Sequence, residues 1–154
     1  MTAYVPKIDR SNLLFRLAVL TRRWCKILDN EFQVAGLTAA TWRPLLHLHL
    51  LGQGIRQKDL AASIGIEGPS LVRLLDTLIA KGLVERSEDA TDRRAKLLCL
   101  TASGRAVVAS IHGTTMDLES ELLSPFDETE FSQVAGLVER LETTVSTVRQ
   151  RGRQ

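Results

Sequence analysis

Pro69-Ser70-Leu71-Val72-Arg73-Leu74-Leu75-Asp76-Thr77-Leu78-Ile79-Ala80-Lys81-Gly82 is the stretch from which the fold is read. Leu71, Leu74, Leu75, Leu78 and Ile79 recur at i, i+3, i+4, i+7 and i+8, one apolar stripe on an α-helix that Pro69 suits at its first turn and Gly82 at its end. That stripe has to be buried. Ser70, Arg73 and Thr77 share the other side, a short row of hydrogen-bond donors with one guanidinium, suited to base edges and phosphates. A helix that reads DNA is the expectation.

Just upstream, Leu60, Ala61 and Ile64 form the buried face of a shorter helix, and Gly65 supplies a left-handed stop. Two helices joined by so tight a turn make a helix-turn-helix, although helical hairpins with no DNA role share the spacing. Downstream, 83–88 and 95–100 are strand-like runs separated by Asp89-Ala90-Thr91-Asp92-Arg93-Arg94, whose first residues favour a turn. This is a hairpin with arginines at its tip, a wing able to lie along a minor groove whose negative potential attracts Arg93 and Arg94. Asp92 is repelled by phosphate, so its expected part is to orient an arginine through a charge-assisted pair.

The flanks read as helices with sticky faces. After capping side chains in Arg10-Ser11-Asn12, Leu14, Leu17, Ala18, Thr21, Cys25, Leu28 and Phe32 form one stripe, and Leu13, Leu20, Trp24 and Ile27 a second beside it. A helix apolar over that much of its circumference packs on more than one side, which points to an oligomer interface. Next, Thr38 is the expected N-cap of a helix with Leu37 and Trp42 as its hydrophobic staple. Pro44 should bend or locally open that helix before Gly52-Gln53-Gly54 ends it. Thr101 should cap a helix over 102–123 that buries Val107, Val108, Ile111, Met116 and Leu118, with a local break at Gly113-Thr114-Thr115. Asp127 and Glu130 have capping-box spacing, with Phe126 and Phe131 as the staple. Phe131, Val134, Val138, Leu141, Val145 and Val148 then step as a heptad seam, for which a two-fold partner is the commonest supplier of a second helix. The tail from Arg149 is basic.

Length and composition bound the alternatives. At 154 residues, 44% hydrophobic and 25% charged, the chain suits a single globular domain of 1–154. No apolar run approaches the roughly 18 residues that span a bilayer, and Lys7, Asp9 and Arg10 interrupt any signal-peptide core, so no membrane association and a cytoplasmic location are expected. Net charge is only +2, and between residues 53 and 96 eight basic side chains face seven acidic ones, so a DNA reading rests on placement. Cys25 and Cys99 lie far apart and suggest neither a disulfide framework nor a zinc site. His47 and His49 on one helix point about 200° apart, poorly placed to share a metal. With no G-x-S-x-G, H-E-x-x-H or phosphate loop, neither enzymatic activity, metal nor cofactor is expected. Two alternatives stay open: a thiol-based redox sensor using Cys25 near Arg22 and Lys26, and a dimeric interaction module without DNA.

Gln57-Lys58-Asp59-Leu60-Ala61, Ile64-Gly65-Ile66-Glu67, Pro69 to Arg73, Lys81-Gly82-Leu83-Val84, Asp92-Arg93-Arg94-Ala95-Lys96 and Leu100-Thr101, in this order, resemble the MarR-type winged-helix regulators, the SlyA branch in particular. Trp24, Asp29, Leu37-Thr38 and Trp42 extend the likeness over nearly the whole chain. The resemblance implies a mainly α fold with a small β-hairpin wing (α+β): a winged helix-turn-helix core at 38–101, with N- and C-terminal dimerisation helices at 9–34 and 102–150. It implies a homodimeric transcriptional regulator on a pseudo-palindromic double-stranded DNA operator. Arg94 would enter the minor groove, Arg93 would meet phosphate, and Pro69, Ser70 and Arg73 would face the major groove, with Asp92 bracing an arginine; Thr77 joins the DNA-facing set from the polar row of the helix itself. It also implies control by a small aromatic acid or phenolic ligand, for which Arg16, Trp24, Trp42, Arg43 and His49 are the candidates. Two departures matter. Gly68 stands where relatives often carry a side chain that contacts bases, and Arg56 replaces the usual Ser or Thr cap, losing about 1 kcal/mol of capping and offering a phosphate contact instead.

Overall fold

Helix-end chemistry and apolar spacing resolve the computed structural model, which describes residues 7–92 and 95–151, into six helices and three short strands. The chain forms two compact units, one ending at Thr115 and the other beginning at Met116. The first holds α1 (Leu13–Val34), α2 (Ala39–Leu51), β1 (Ile55–Arg56), α3 (Gln57–Ile64), α4 (Gly68–Ala80), β2 (Val84–Glu88), β3 (Lys96–Leu100) and the first part of α5 (Ala102–Leu123). The second holds the rest of α5 and α6 (Glu128–Arg151). The fold is mainly helical with a small antiparallel sheet, the winged-helix arrangement expected from the sequence. Among the described residues no helix is long and apolar enough to cross a membrane.

The core of the first unit is aliphatic. Leu45 and Leu48 of α2, Leu60 of α3, Leu71, Leu75 and Leu78 of α4, Leu98 of β3 and Ile111 of α5 are all buried. Each such side chain contributes about 1.5–3 kcal/mol by leaving water. The α4 stripe is narrower than its sequence pattern, since Leu74 and Ile79 on its edges are only half-buried. On α1 only Leu28 and Phe32, near the C-terminal end, are buried. Phe32 meets Trp42 with ring centroids 5.2 Å apart. Asp29 accepts from Trp42 Nε1 at 3.0 Å and from Arg43 Nη2 at 2.7 Å, which fastens α1 to α2. Leu14, Phe15 and Leu20 stay about three-fifths exposed, at 62%, 66% and 59%.

Several helix ends differ in detail from expectation. Asn12 occupies the N-cap of α1 without capping it: its side-chain amide donates to Lys7 O, and its Oδ1 accepts from the Asp9 N–H. Leu13 N–H turns instead to Asp9 O. Thr38 precedes α2 in extended geometry, but its hydroxyl pairs with that of Thr41 at 3.3 Å and caps no backbone group. The helix runs continuously through buried Pro44, whose missing N–H leaves one i→i−4 bond unmade. α5 likewise runs unbroken through Gly113-Thr114-Thr115. Thr115 returns its hydroxyl proton to Ile111 O at 2.8 Å, and nothing crowds Gly113.

The sheet has the order β1-β3-β2. Ile55 pairs with Leu98 and Arg56 with Leu97, while β2 and β3 pair from Val84↔Leu100 to Glu88↔Lys96. β1 is absent from the sequence reading because two residues carry no alternation. The hairpin closes at a joint where α4 leaves and α5 begins. Thr101 Oγ1 donates to Gly82 O at 2.6 Å and accepts from Gly104 N–H at 3.0 Å, while Thr101 N–H donates to Leu83 O at 3.1 Å. The expected Thr101 cap is therefore present. It also binds the other side of the hairpin.

In the second unit the capping box at Asp127 is complete. Asp127 Oδ1 accepts from Thr129 N–H at 2.8 Å and Glu130 N–H at 2.9 Å, and Glu130 Oε2 accepts from Asp127 N–H at 3.0 Å. α6 itself buries none of its described side chains. Phe131, Val134, Val138, Val145 and Val148 of the heptad seam are exposed, and Leu141 is half-buried.

A methyl group on Gly104 would overlap the carbonyl of Leu83. Gly104→Ala should therefore cost about 3 kcal/mol or more, read as a lowered urea midpoint. A midpoint within error of the wild type would contradict the tight joint.

Candidate nucleic-acid interface

The burial of Leu71, Leu75 and Leu78 leaves Ser70, Arg73 and Thr77 exposed in a row on α4. The turn before α4 is set by Gly65, at φ +79°, with Gly65 and Ile66 N–H groups both donating to Ala61 O. Pro69 sits in the first turn, where its missing N–H costs nothing. One member of the row changes character: Thr77 Oγ1 donates to Arg73 O at 3.1 Å, so toward solvent it offers an acceptor rather than a donor. Arg73 supplies the guanidinium. Beside the row, Asp76 pairs with Arg86 of β2 at 3.0 Å and ties the helix to the hairpin. An exposed pair of this kind stabilises by only about 0–1 kcal/mol.

The second element of the surface is the base of the wing. Arg56 ends β1 and stands at the N-cap of α3 without capping it. Its guanidinium instead meets Asp89 Oδ2 at 2.7 Å. Asp89 is a buried acid whose other oxygen accepts from Thr91 N–H at 2.8 Å and Thr91 Oγ1 at 2.7 Å. Those bonds to Thr91, followed by the one to Arg56, hold the Asp89 carboxyl well below the usual carboxylate range. Arg56 is pushed above its ordinary value by the hydrogen bond and charge of Asp89, with smaller help from the charges of Asp92 and Asp59. The charge of Asp92 reaches Arg56 only as a minor contribution beside that of Asp89. The Asp92 backbone closes the loop base through Asp92 N–H to Asp89 O and Ala95 N–H to Asp92 O. Arg93 and Arg94 lie outside the described residues.

Arg56, Gln57, Lys58, Asp92, Ala95 and Lys96 line a shallow cleft of about 380 Å³ between the start of α3 and the wing base. Three cations surround the cleft against one lining acid, Asp92; Arg56 is paired with Asp89 and Lys96 with Glu88 at 3.1 Å, which leaves Lys58 beside the helix start and a net positive lining that suits a phosphate group. Asp89 is the residue that sequence reading missed. Its signal was an acid two residues before Thr91, a side-chain turn pattern, but its partner lies 33 positions away.

The five ligand candidates are distributed as follows. Trp42 is buried and Arg43 lies over its ring, 5.3 Å from the centroid, both bonded to Asp29. Arg43 Nε is buried without a hydrogen-bond partner among the described residues. His49 meets the ring of His112 at 4.9 Å. Arg16 and Trp24 are half-buried on α1. Nearby, His47 pairs with Ser63 Oγ at 2.7 Å, and burial followed by the charge of Arg43 pushes its imidazole below the ordinary value. Cys25 on α1 and Cys99 on β3 are free and half-buried.

The model of the MarR family matches residues 35–95, from the end of α1 to the wing. Among solved structures, the transcriptional regulator PA3341 is 35% identical, with coverage of 86% of this chain and 97% of that one and a TM-score of 0.79. The transcriptional regulator SlyA is 25% identical, with coverage of 88% and 95% and a TM-score of 0.74. MepR of S. aureus, solved as a complex with DNA, is 25% identical, with coverage of 90% and 99% and a TM-score of 0.69.

A carboxyl held low in the folded state contributes stability that is complete above its unfolded value, about 3.9, and is lost as pH falls below it. The stability difference between the wild type and Asp89→Asn should be constant near neutrality and narrow from about pH 4 toward pH 2, as followed by urea unfolding. A gap that stays constant across that range would contradict the ionised, bonded state of Asp89.

Proposed function

The chain belongs to the MarR family, and from that premise we propose that it is a sequence-specific, double-stranded-DNA-binding transcriptional regulator that acts as a homodimer on a pseudo-palindromic operator. The observation that carries this reading is the exposed row Ser70, Arg73 and Thr77 on a helix whose opposite face is the core. Pro69 and Ser70 start the helix over the major groove, Arg73 pairs with a base edge or phosphate, and Thr77 accepts from an exocyclic amine. Arg56 meets phosphate beside the cleft, Arg93 a second phosphate and Arg94 the minor groove, with Asp92 adding its charge behind Arg56. The MepR complex with DNA supports the same partner.

The homodimer reading rests on apolar faces that the single chain leaves in water. Leu14, Phe15 and Leu20 on α1, and separately Phe131, Val134 and Val138 on α6, are exposed. A second copy is the commonest supplier of a matching surface. Two copies then present two α4 helices to half-sites one turn apart, about 34 Å. Membership of the SlyA-like branch belongs to this proposal too.

Control by a small aromatic or phenolic acid is the finer part of the proposal. Arg43 Nε, buried and without a hydrogen-bond partner among the described residues, is the group that favours it, because a carboxylate there would satisfy that donor. Trp42, Trp24, Arg16 and His49 are the remaining candidates. Such a ligand acts only by binding one dimer geometry better than the other.

Selection of duplexes from a random pool should return a pseudo-palindrome with half-sites about 10 base pairs apart, bound with an affinity that falls steeply as salt rises. Arg73→Ala should weaken the recovered site by about 1–3 kcal/mol and relax one position in each half-site; a pool with no enriched motif would end the DNA reading. Adding salicylate, a simple phenolic acid, should lower affinity for that duplex. An affinity indifferent to it up to saturating concentration would remove the phenolic-ligand proposal while leaving the DNA reading in place.

A further inference from the structure

We infer that Asp89 is a positioning residue for operator recognition, one that fixes Arg56 at the start of α3 as a rigid phosphate contact able to sense groove geometry. The inference rests on the DNA-binding reading above. A free arginine on a protein surface samples many rotamers and meets any phosphate within reach. Arg56 does not have that freedom. Its backbone is paired with Leu97 in the sheet, and its Nη2 is bonded to a carboxylate that Thr91 holds through two hydrogen bonds.

The pair is partly enclosed, with 37% of the Arg56 side chain and 11% of the Asp89 side chain exposed. An ion pair between two elements in such a setting is less screened than one in open water. It leaves the guanidinium aimed by one edge, and a guanidinium carries five donors in a planar fork. The cleft that Arg56 lines with Gln57, Lys58, Ala95, Lys96 and one acid, Asp92, lies beside it, its cations outnumbering its single carboxylate. A duplex that places a phosphate there gains a charge-assisted bond with little ordering cost, whereas one whose backbone runs differently does not. Since backbone path varies with sequence, a fixed donor converts a phosphate contact into discrimination.

Removal of the carboxylate also has an opposing effect. Asp89 repels any duplex, so neutralising it favours binding irrespective of sequence. The informative quantity is therefore the ratio of affinity for the selected operator to affinity for a scrambled duplex of the same length. Asp89→Asn should lower that ratio by about tenfold, the worth of one oriented charge-assisted bond, with scrambled-duplex affinity unchanged or raised. Arg56→Gln should lower the ratio to a similar extent and reduce the salt slope by about one. The double variant should match Arg56→Gln, because Asp89 acts through Arg56.

A ratio that Asp89→Asn leaves intact overturns the inference, and so do two losses that add in full. General destabilisation would lower the competent fraction for both duplexes alike and leave the ratio unmoved. Should Asp89→Asn not fold, Arg56→Lys keeps a charge for Asp89 but loses the planar fork, and an unchanged ratio for it is equally fatal. A wild-type chain that binds no duplex fails at the earlier reading instead, which separates the two failures.

Discussion

A single hydroxyl, that of Thr101, joins the two ends of the winged element. It donates to Gly82 O at the exit of α4 and accepts from Gly104 N–H at the entrance of α5. The neighbouring Thr101 N–H meets Leu83 O, against which Gly104 can pack only because it lacks a Cβ. With both ends of the hairpin fixed, β2 and β3 are held in one register from Val84↔Leu100 to Glu88↔Lys96. A slip of one residue would turn buried Leu98 and Leu100 out to solvent. The joint therefore sets where the wing leaves the core, and so where its base meets α3.

From that fixed base, the proposed interface follows from the division between apolar and polar sides of each element. Burial of Leu71, Leu75 and Leu78 determines which side of α4 presents Ser70, Arg73 and Thr77. The edge pairing of β1 with β3 delivers Arg56 to the mouth of the cleft, and Asp89 holds it there. Loss of a conventional cap at α3 is then less a defect than a reassignment. The end gives up a side-chain bond to its own backbone and gains an ion pair that spans two elements.

The two units differ in how far one chain satisfies them. The first encloses an aliphatic core, while α6 of the second leaves its described apolar side chains largely in water. Isolated helices draw little stability from propensity alone and need a packed face. Its intact capping box fixes where α6 starts without burying anything. The proposed homodimer would supply the missing burial, at about 25 cal/mol for each Å² of apolar surface removed from water.

Local chemistry was legible in the sequence: the α4 stripe and its polar row, the Gly65 turn, the Thr101 cap and the Asp127–Glu130 box all depend on residues within one or two helical turns of each other. Expectations failed where a distant or competing partner decided. Asn12 bonds backward to Lys7 and Asp9, and β1 exists only because β3 offers it an edge. The sequence by itself determined the order of the six helices and the hairpin, and with them the winged-helix fold, because periodicity and end signals are short-range. Only the tertiary structure decided that Arg56 is held by Asp89 and that Asp29 fastens Trp42 and Arg43. Those pairings join residues 13 to 33 positions apart, and which acid a cation meets is set by how the buried faces dock.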